Sequence, residues 1–214
     1  MRTPSIGIAP EGYHIIGIAA LATLVSALLG CGILALICFA ACVFSCNFFR
    51  DPERVIPGEA DIAVSPADGR IIDLKSATDP ISGEERPRVS IFMHVGNVHV
   101  NRAPIEGKVE TIKYIPGKFF NASWDKASTD NERCAYLIKD NDGAAWTVVQ
   151  IAGLIARRIV SRVEEGDEIK RGERFGLIKF GSRLDVYLPE GYKASVNIGE
   201  TVLAGSSIIA RKDT

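Results

Sequence analysis

The longest apolar run of the chain lies near its N-terminus. From Tyr13 to Phe49 the sequence contains no Asp, Glu, Lys or Arg, whereas about 20 apolar residues suffice to cross the hydrocarbon core of a bilayer. Gly30 and Gly32 lie near the middle of this run, and Gly weakens a helix. The pattern predicts a membrane-associated segment over residues 1–50, as one long tilted helix or a hairpin of two short helices, and the hairpin is favoured.

Basic residues set the expected orientation of this segment. Arg50 and Arg54 follow the apolar run, whereas Arg2 alone precedes it. Because Lys and Arg are enriched on the cytoplasmic side of membrane segments, the rest of the chain is expected on the cytoplasmic face of the cell membrane. In a hairpin, both ends lie on that side.

Beyond residue 50 the pattern changes to short apolar or alternating stretches separated by Gly, Pro, Asn and Asp. This pattern is typical of β-strands joined by turns, and it predicts a mainly β domain over residues 51–214. Segment 153–163 is the one candidate for a short helix. The predicted strands are 61–74, 88–95, 97–104, 107–115, 134–140, 145–153 and 184–189.

An internal repeat indicates the type of β fold. VEEGDEIKRGERFGLI (163–178) and VNIGETVLAGSSIIA (196–210) share the spacing of Val, two Gly and apolar positions, and ADGRII (67–72) matches IEGKVE (105–110) more weakly. Repeats of short strands with Gly turns are typical of barrel-sandwich or hammerhead-like folds, which include biotinyl and lipoyl carrier domains. The fold analogy by itself assigns no function.

Composition excludes some functions. The formal net charge is −1, so the chain lacks the excess of basic residues expected of a nucleic-acid-binding protein. Four of the five Cys lie in the apolar run and no CxxC occurs, which favours small apolar side chains over a metal site or a disulfide framework.

The stretch IKFGSRLDVYL (178–188) alternates like a single strand, apart from Gly181–Ser182. Gly inside a strand marks a bulge or the close approach of another backbone. Because Gly181 has no side chain, the Ser182 hydroxyl can reach the preceding carbonyl carbon, and the amide can rearrange to an ester. The dipeptide alone carries little weight, since no Gly-x-Ser-x-Gly nucleophile elbow surrounds it.

Other candidate side chains have ordinary structural explanations beside functional ones. His94 and His99 lie five residues apart, so a regular strand would point them to opposite faces unless Gly96 breaks it. Asp68 is part of a turn sequence and gains a catalytic interest only if a His lies near it. Lys126 lies in the long polar segment 117–133, where an Asp-Lys-Ala triplet resembles that of lipoyl carriers.

Five ordered blocks carry a resemblance to a known family. They are FFRDPER (48–54), SPADG (65–69), FMHVGNVHVNRAP (92–104), GKFFNASWDKASTDNER (117–133) and RFGLIKFGSRLDVYLP (174–189). Together they resemble the short form of the pyruvoyl-dependent phosphatidylserine decarboxylases, from about Phe48 to the C-terminus.

This resemblance implies a zymogen that cleaves itself between Gly181 and Ser182. The products are a β chain, 1–181, and an α chain, 182–214, which form a heterodimer. Ser182 becomes a pyruvoyl group, a covalent cofactor that needs no metal. Its ketone forms a Schiff base with phosphatidylserine at the lipid bilayer, and loss of CO2 yields phosphatidylethanolamine.

The resemblance also suggests roles for individual residues. Asp68 matches the Asp of the self-cleavage relay, and His99 matches the His that serves decarboxylation. The second His of the longer enzymes is replaced by Arg102, which is a poor base because it stays protonated. The base for self-cleavage is therefore either His99 or His94.

Two further expectations concern the substrate and a competing function. Arg102, Lys118 and Lys126 are candidates to hold the phosphate or carboxylate of the lipid. Ser182 is followed by Arg183, where the longer enzymes have Thr. The alternative is a membrane-anchored carrier or adaptor without catalysis, lipoylated on Lys126, or a lipid-binding module derived from an inactive enzyme.

Overall fold

The computed structural model describes residues 7–124, 127–154, 158–179 and 181–213. The chain divides into two compact units, Met1–Glu53 and Arg54–Thr214. The division therefore follows Glu53, close to the boundary after residue 50 that the sequence suggests.

The N-terminal unit is a helical hairpin. A short 3-10 turn, Pro10–Gly12, leads into α1 (Tyr13–Leu28), and α2 (Gly32–Phe48) follows after a turn at Gly30. Gly30 has a φ of +73°, a left-handed conformation that Gly adopts without steric cost.

Contacts along the hairpin show that its helices are antiparallel. The Cys42 Sγ lies 3.9 Å from the Ile16 carbonyl oxygen, and Ile8 forms an antiparallel bridge with Arg50. The favoured hairpin is thus confirmed. Of the described residues, Pro10–Leu28 is long and apolar enough to cross a membrane, and Gly32–Phe48 is shorter.

The second unit is mainly β, as predicted. Its elements are β1 (Ile62–Val64), β2 (Gly69–Asp73), β3 (Ser76–Thr78), β4 (Glu85–Met93), β5 (Val100–Arg102), β6 (Gly107–Ile115), α3 (Ala127–Asp130), β7 (Arg133–Lys139), β8 (Ala145–Ala152), β9 (Ile159–Ser161), β10 (Glu168–Ile169), β11 (Arg174–Ile178), β12 (Ser182–Tyr187), β13 (Tyr192–Ala194), β14 (Thr201–Val202) and β15 (Ile208–Lys212).

The largest sheet has the strand order β10-β6-β7-β8-β12-β4-β2-β14, and β3 pairs with β4 outside this path. Two smaller sheets have the orders β1-β15-β13 and β5-β11-β9. Strand β12 runs antiparallel to both β4 and β8, with Ser182 opposite Met93 on one side and Ala152 on the other. The cleavage candidate therefore begins a central strand.

The two copies of the stronger sequence repeat, 163–178 and 196–210, have the same succession of strands and turns. Each copy contains a two-residue strand and then a longer one, β10 with β11 in the first copy and β14 with β15 in the second. The matched turn residues Gly166 and Gly199 have φ values of +96° and +89°, and Gly172 and Gly205 have +77° and +76°. The same turns recur because Gly occupies both left-handed positions in each copy.

Strands in the weaker repeat, and the strand just before each of its copies, pair with the strands of the stronger repeat. Strand β10 pairs with β6 and β11 with β5, just as β14 pairs with β2 and β15 with β1. The two halves also exchange backbone hydrogen bonds, from Val64 N–H to Pro104 C=O and from Arg102 N–H to Pro66 C=O, each 2.9 Å. This arrangement agrees with the expected barrel-sandwich or hammerhead-like architecture.

Two stretches expected to be single strands are each divided in the structure. Segment 61–74 contains β1 and β2, which are separated by residues 65–68. The stretch 178–188 is not a single strand, because β11 ends at Ile178 and β12 starts at Ser182. Gly181 between them has a φ of +56°, which a β-strand does not accommodate. In segment 153–163, residues 155–157 lie outside the described part and Ile159–Ser161 is a strand.

Candidate active site

Ser182 is buried at the first position of β12. Its hydroxyl lies 3.3 Å from the Met93 sulfur on the neighbouring strand. A thioether is only a weak hydrogen-bond acceptor and cannot take the proton. The Ser182 hydroxyl is thus held without being deprotonated by this contact.

The Gly181 carbonyl, which belongs to the bond before Ser182, packs against the backbone of Gly153. A Cβ on Gly153 would lie 2.0 Å from the Gly181 oxygen, far inside van der Waals contact. Gly153 ends a predicted strand and belongs to no recognised motif, so nothing in the sequence marks it as a site residue. Gly153 lies beside Gly181 because β8, which ends at Ala152, pairs with β12, which begins at Ser182.

Asn131 ties the loop 117–133 to the same place. Its Nδ2 donates to the carbonyl oxygens of Ala152 and Phe120, both at 2.8 Å, and its Oδ1 accepts from Phe120 N–H at 3.0 Å. Asn131 is fully buried, so these three hydrogen bonds satisfy most of its side chain. Phe120 and Asn131 are therefore held beside Ala152, the residue that precedes Gly153.

His99 is fully buried. Its Nδ1 lies 2.9 Å from the Asn97 carbonyl oxygen, and a carbonyl can only accept, so Nδ1 carries the proton. In the neutral ring Nε2 is then the nitrogen that can accept a proton. The His99 backbone continues the pairing of β5 with β11, because its carbonyl accepts from Ile178 N–H at 3.4 Å.

His94 is exposed and lies in a turn. Its Nδ1 accepts a hydrogen bond from Gly96 N–H at 3.2 Å, and the Asn97 side chain accepts from His94 N–H at 2.8 Å. Gly96 does break the strand, as the sequence suggested, but the exposed His94 ring is engaged with its own turn. The two histidines thus have different environments.

Comparison with known proteins identifies the family. The family model for phosphatidylserine decarboxylase matches residues 42–210. The chain is 62% identical over 212 residues to a phosphatidylserine decarboxylase proenzyme of Nitratidesulfovibrio vulgaris, covering 99% of this chain and 98% of the relative.

Proenzymes with the same name in Oleidesulfovibrio alaskensis and Burkholderia pseudomallei are 59% and 49% identical, and the match covers 97% of each relative and 99% and 98% of this chain. The chain belongs to the phosphatidylserine decarboxylase family. The alternative of a carrier or adaptor is not supported, and the remaining residues that the resemblance singled out can be placed in a phosphatidylserine decarboxylase fold.

Asp68, the predicted relay carboxylate of the decarboxylase, is buried and has two partners. Its Oδ2 forms an ion pair with Arg54 at 2.8 Å, and its Oδ1 accepts from Ala204 N–H at 2.8 Å. Within the described part of the chain, neither hydrogen bond goes to a histidine. In the uncleaved decarboxylase, Asp68 thus holds the turn that follows β14.

The resemblance places Arg102 where the longer enzymes have their second histidine. It is buried, its Nη1 donates to the Gly172 carbonyl at 2.9 Å, and its Cδ would lie 3.0 Å from a Cβ on Gly205. The side chain therefore packs between the matched turns of the two repeats. A guanidinium in this place satisfies a turn carbonyl, which a histidine ring is too short to reach in the same way.

The other predicted substrate residues lie in the loop 117–133. Lys118 is exposed, with its Nζ 5.7 Å from the centre of the Phe120 ring, a cation–π distance. Lys126 lies outside the described residues. Within the described part of the decarboxylase, no group of three His, Cys, Asp or Glu side chains is arranged to hold a metal ion.

Arg183, where longer family members have Thr, belongs to a buried charge network on the other face of the sheet. Its Nε lies 2.6 Å from Asp185 Oδ1, and its Nη2 donates to Ser90 Oγ at 2.8 Å. Arg88 bridges Asp73 and Asp185 at 2.5 and 3.8 Å. Burial acts to lower the pKa of Arg88, but Asp185 and Asp73 raise it above its usual value, so the Arg88 guanidinium stays charged.

Proposed function

We propose that this chain is a zymogen that cuts its own Gly181–Ser182 bond, converts Ser182 to a pyruvoyl group and decarboxylates phosphatidylserine. The observation that carries the proposal is the placement of a buried serine directly after a left-handed glycine whose carbonyl packs on Gly153. Because Gly181 has no side chain, the Ser182 hydroxyl can approach the Gly181 carbonyl carbon.

The self-cleavage begins at the Ser182 hydroxyl. Its Oγ attacks the Gly181 carbonyl carbon and its proton passes to a base; the C–N bond then breaks, and the nitrogen of residue 182 takes a proton. The resulting ester is lost when the Cα proton of residue 182 is removed and the Cβ–Oγ bond breaks, so that Gly181 leaves as a carboxylate. Water finally replaces the nitrogen, which departs as ammonia.

His99 is the base that the contacts favour. Its Nδ1 is engaged with the Asn97 carbonyl, which leaves Nε2 able to accept a proton, and the ring is buried away from competing water. The same nitrogen can later return a proton to the substrate carbon, as a general acid. Asp68 stays a predicted member of the relay, and before cleavage its two oxygens contact Arg54 and the Ala204 N–H.

The residues around position 182 fit a pyruvoyl group. When formed, this group supplies a ketone that binds the amine of phosphatidylserine and draws electrons from the carbon that loses CO2. Ser182 is fully buried before cleavage, so the segment that ends at Gly181 must move away before a lipid headgroup can reach residue 182. Cleavage frees that segment.

The two products are expected to stay together as a heterodimer. The α chain begins with β12, which is paired on both edges, with β4 and with β8. It also supplies β14 and β15, which pair with β2 and β1 of the β chain. Separation of the chains would break these ladders and expose the core beneath them.

Mass spectrometry and a lipid assay test this function together. The purified full-length chain is expected to contain a fragment 182–214 that begins with a blocked pyruvoyl group, and to release CO2 from vesicles of phosphatidylserine. Vesicles of phosphatidylcholine are the control, because their headgroup has no carboxylate to lose. An intact chain with an unmodified Ser182 would contradict the proposal.

We further propose that the hairpin enters the cytoplasmic leaflet and ends inside the hydrocarbon. Although Pro10–Leu28 is long enough to cross a membrane, the returning helix α2 has 17 residues, or about 26 Å at 1.5 Å per residue, against a core of about 30 Å. The tip is apolar, since Leu28, Leu29 and Ile33 are 78, 73 and 82% exposed. A tip in water on the far side would instead need polar residues.

Backbone and side-chain groups of the hairpin support the same placement. At the turn, the N–H groups of Leu29, Gly30 and Cys31 donate to carbonyls of α1 at 2.9 to 3.1 Å. The hydroxyls of Thr23 and Ser45 each donate to the carbonyl four residues earlier, at 2.8 Å. Groups satisfied internally in this way need no water, as a hydrocarbon environment requires.

Cys31 at the tip provides a native probe of this topology. In a variant whose other four cysteines are replaced by serine, a membrane-impermeant maleimide is expected to label Cys31 from neither side of sealed membranes, and only after detergent is added. Ser82→Cys in a chain without other cysteines is the matched control, expected to react from the cytoplasmic side. Reaction of Cys31 from either side of sealed membranes would overturn the placement.

A further inference from the structure

A line of buried polar side chains leads from the Ser182 hydroxyl into the domain. The Met93 Sδ lies 3.3 Å from Ser182 Oγ and 3.7 Å from Asn101 Nδ2. Gln150 Nε2 donates to Asn101 Oδ1 at 2.7 Å, and the Tyr136 hydroxyl donates to Gln150 Oε1 at 2.7 Å. The five residues come from β12, β4, β5, β8 and β7, so the line joins two sheets.

Each polar member of this line is fully buried, which is costly unless the hydrogen bonds are made. The bonds also fix the direction of both amides. The Tyr136 hydroxyl donates to the oxygen of the Gln150 amide, so the Gln150 nitrogen points the other way, toward the Asn101 oxygen. The Asn101 nitrogen then points toward the Met93 sulfur. Burial raises the pKa of the Tyr136 phenol, so it stays a donor.

A glycine on the neighbouring strand makes room for this line. A Cβ on Gly176 would lie 2.8 Å from Gln150 Nε2 and 2.5 Å from the Val160 carbonyl oxygen. A larger residue would displace the Gln150 amide. Gly176 in the sequence Arg174-Phe175-Gly176 is therefore explained by the space that the Gln150 side chain needs.

The line also links Ser182 to the segment that carries His99. Asn101 follows His99 by two residues, and His99 continues the pairing of β5 with β11. The residue that contacts the Met93 sulfur thus lies in β5, two positions after the proposed base, which directly precedes that strand.

We propose that Met93 holds the Ser182 hydroxyl in its reactive orientation before self-cleavage, and that Asn101, Gln150 and Tyr136 are positioning residues that hold the sulfur. This inference rests on the proposed self-cleavage. A thioether suits the task because it accepts weakly and releases the hydroxyl when the base removes the proton. Once Oγ has left with the Gly181 carboxylate, the same soft, apolar sulfur can pack against the methyl carbon left at residue 182.

The decisive variant is Met93→Leu, which keeps the volume but removes the acceptor. Its precursor, made by cell-free synthesis and followed over time on denaturing gels, is expected to cleave about 3- to 10-fold more slowly than the unaltered chain, the factor that one lost hydrogen bond represents. The rate of cleavage is the deciding measurement, and decarboxylation is measured separately per cleaved chain, because leucine also changes the contact with residue 182. Ile91→Leu, on the same strand and facing Leu184 across the ladder, is the matched control and is expected to cleave normally.

Tyr136→Phe tests the far end of the line and replaces the first variant if Met93→Leu does not fold. It removes only the hydroxyl and retains the edge contact with Phe175, whose ring centre is 5.1 Å away. We expect cleavage to slow about 2- to 5-fold, a part of the effect of a lost hydrogen bond. In a Met93→Leu background the same change is expected to have no further effect, because it acts through the sulfur.

The outcomes separate this inference from the function on which it rests. If the unaltered chain does not cleave, the proposed function fails. If it cleaves and Met93→Leu cleaves at the same rate or faster, or no more slowly than Ile91→Leu, the role of Met93 is wrong. If the effects of Tyr136→Phe and Met93→Leu are additive, the role of Asn101, Gln150 and Tyr136 as positioning residues is wrong, whereas the role of Met93 stands.

Discussion

Ser182→Ala is expected to leave the chain whole at residues 1–214 and to abolish decarboxylation. The substitution removes the attacking oxygen and with it the source of the pyruvoyl group, so activity should fall by on the order of a million-fold or more, the scale of rate enhancement that enzymes provide. Denaturing gels and CO2 release from phosphatidylserine vesicles measure the two effects. The fold should persist, since Ser182 makes one weak side-chain contact, with Met93, among the described residues.

Gly153→Ala is expected to produce the same uncleaved chain for a different reason. The added Cβ would lie 2.0 Å from the Gly181 carbonyl oxygen, so the carbonyl that Ser182 attacks must shift. A misplacement of about 1 Å can cost a hundredfold in rate, and the precursor should therefore accumulate. Gly58→Ala is the matched control, because a Cβ there meets no atom within 4 Å.

Normal cleavage of Gly153→Ala would show that the close contact with Gly181 is not part of the reactive geometry. Cleavage and decarboxylation by Ser182→Ala would be more serious, since the nucleophile itself would then be wrong. The pair of variants thus distinguishes the identity of the reacting oxygen from the position of the carbon that it attacks.

His99→Ala is expected to lower decarboxylation about 100- to 10,000-fold, the usual contribution of a general acid or base, and to slow self-cleavage as well. His99 is buried with its Nδ1 donating to the Asn97 carbonyl, so Nε2 is the ring nitrogen that can accept and return a proton in both reactions. Activity should be divided by the amount of cleaved chain, so that the loss in each step is measured separately.

His94→Ala is the matched control for this histidine. His94 is exposed, and its ring accepts a hydrogen bond from its own turn, so we expect cleavage and decarboxylation within about threefold of the unaltered rates, as for surface substitutions that cost little free energy. If His94→Ala is impaired and His99→Ala is normal in both steps, the two assignments must be exchanged.

Local sequence patterns were sufficient for much of the fold. The uncharged run with Gly30 near its centre predicted a hairpin, because a membrane segment is recognised by composition and a left-handed turn by glycine. Alternating apolar residues predicted the long strands, and the repeat of residues 163–178 in 196–210 predicted two matching halves. Each of these features depends on neighbours that are close in sequence.

The sequence by itself determined the family of this protein and the bond to examine, since ordered blocks around Gly181–Ser182 carry both. Only the tertiary structure decided what surrounds that bond. Gly153 and Gln150 lie outside the ordered blocks, and Met93 and Asn101 lie inside one of them without a role that the sequence suggests. Met93, Gln150 and Gly153 reach the site because β4 and β8 pair with β12, and Asn101 reaches it from β5 in another sheet. The same three-dimensional pairing ends the predicted strand at Ile178 and lets Gly181 turn, and distances of this kind are set by packing between residues far apart in the chain.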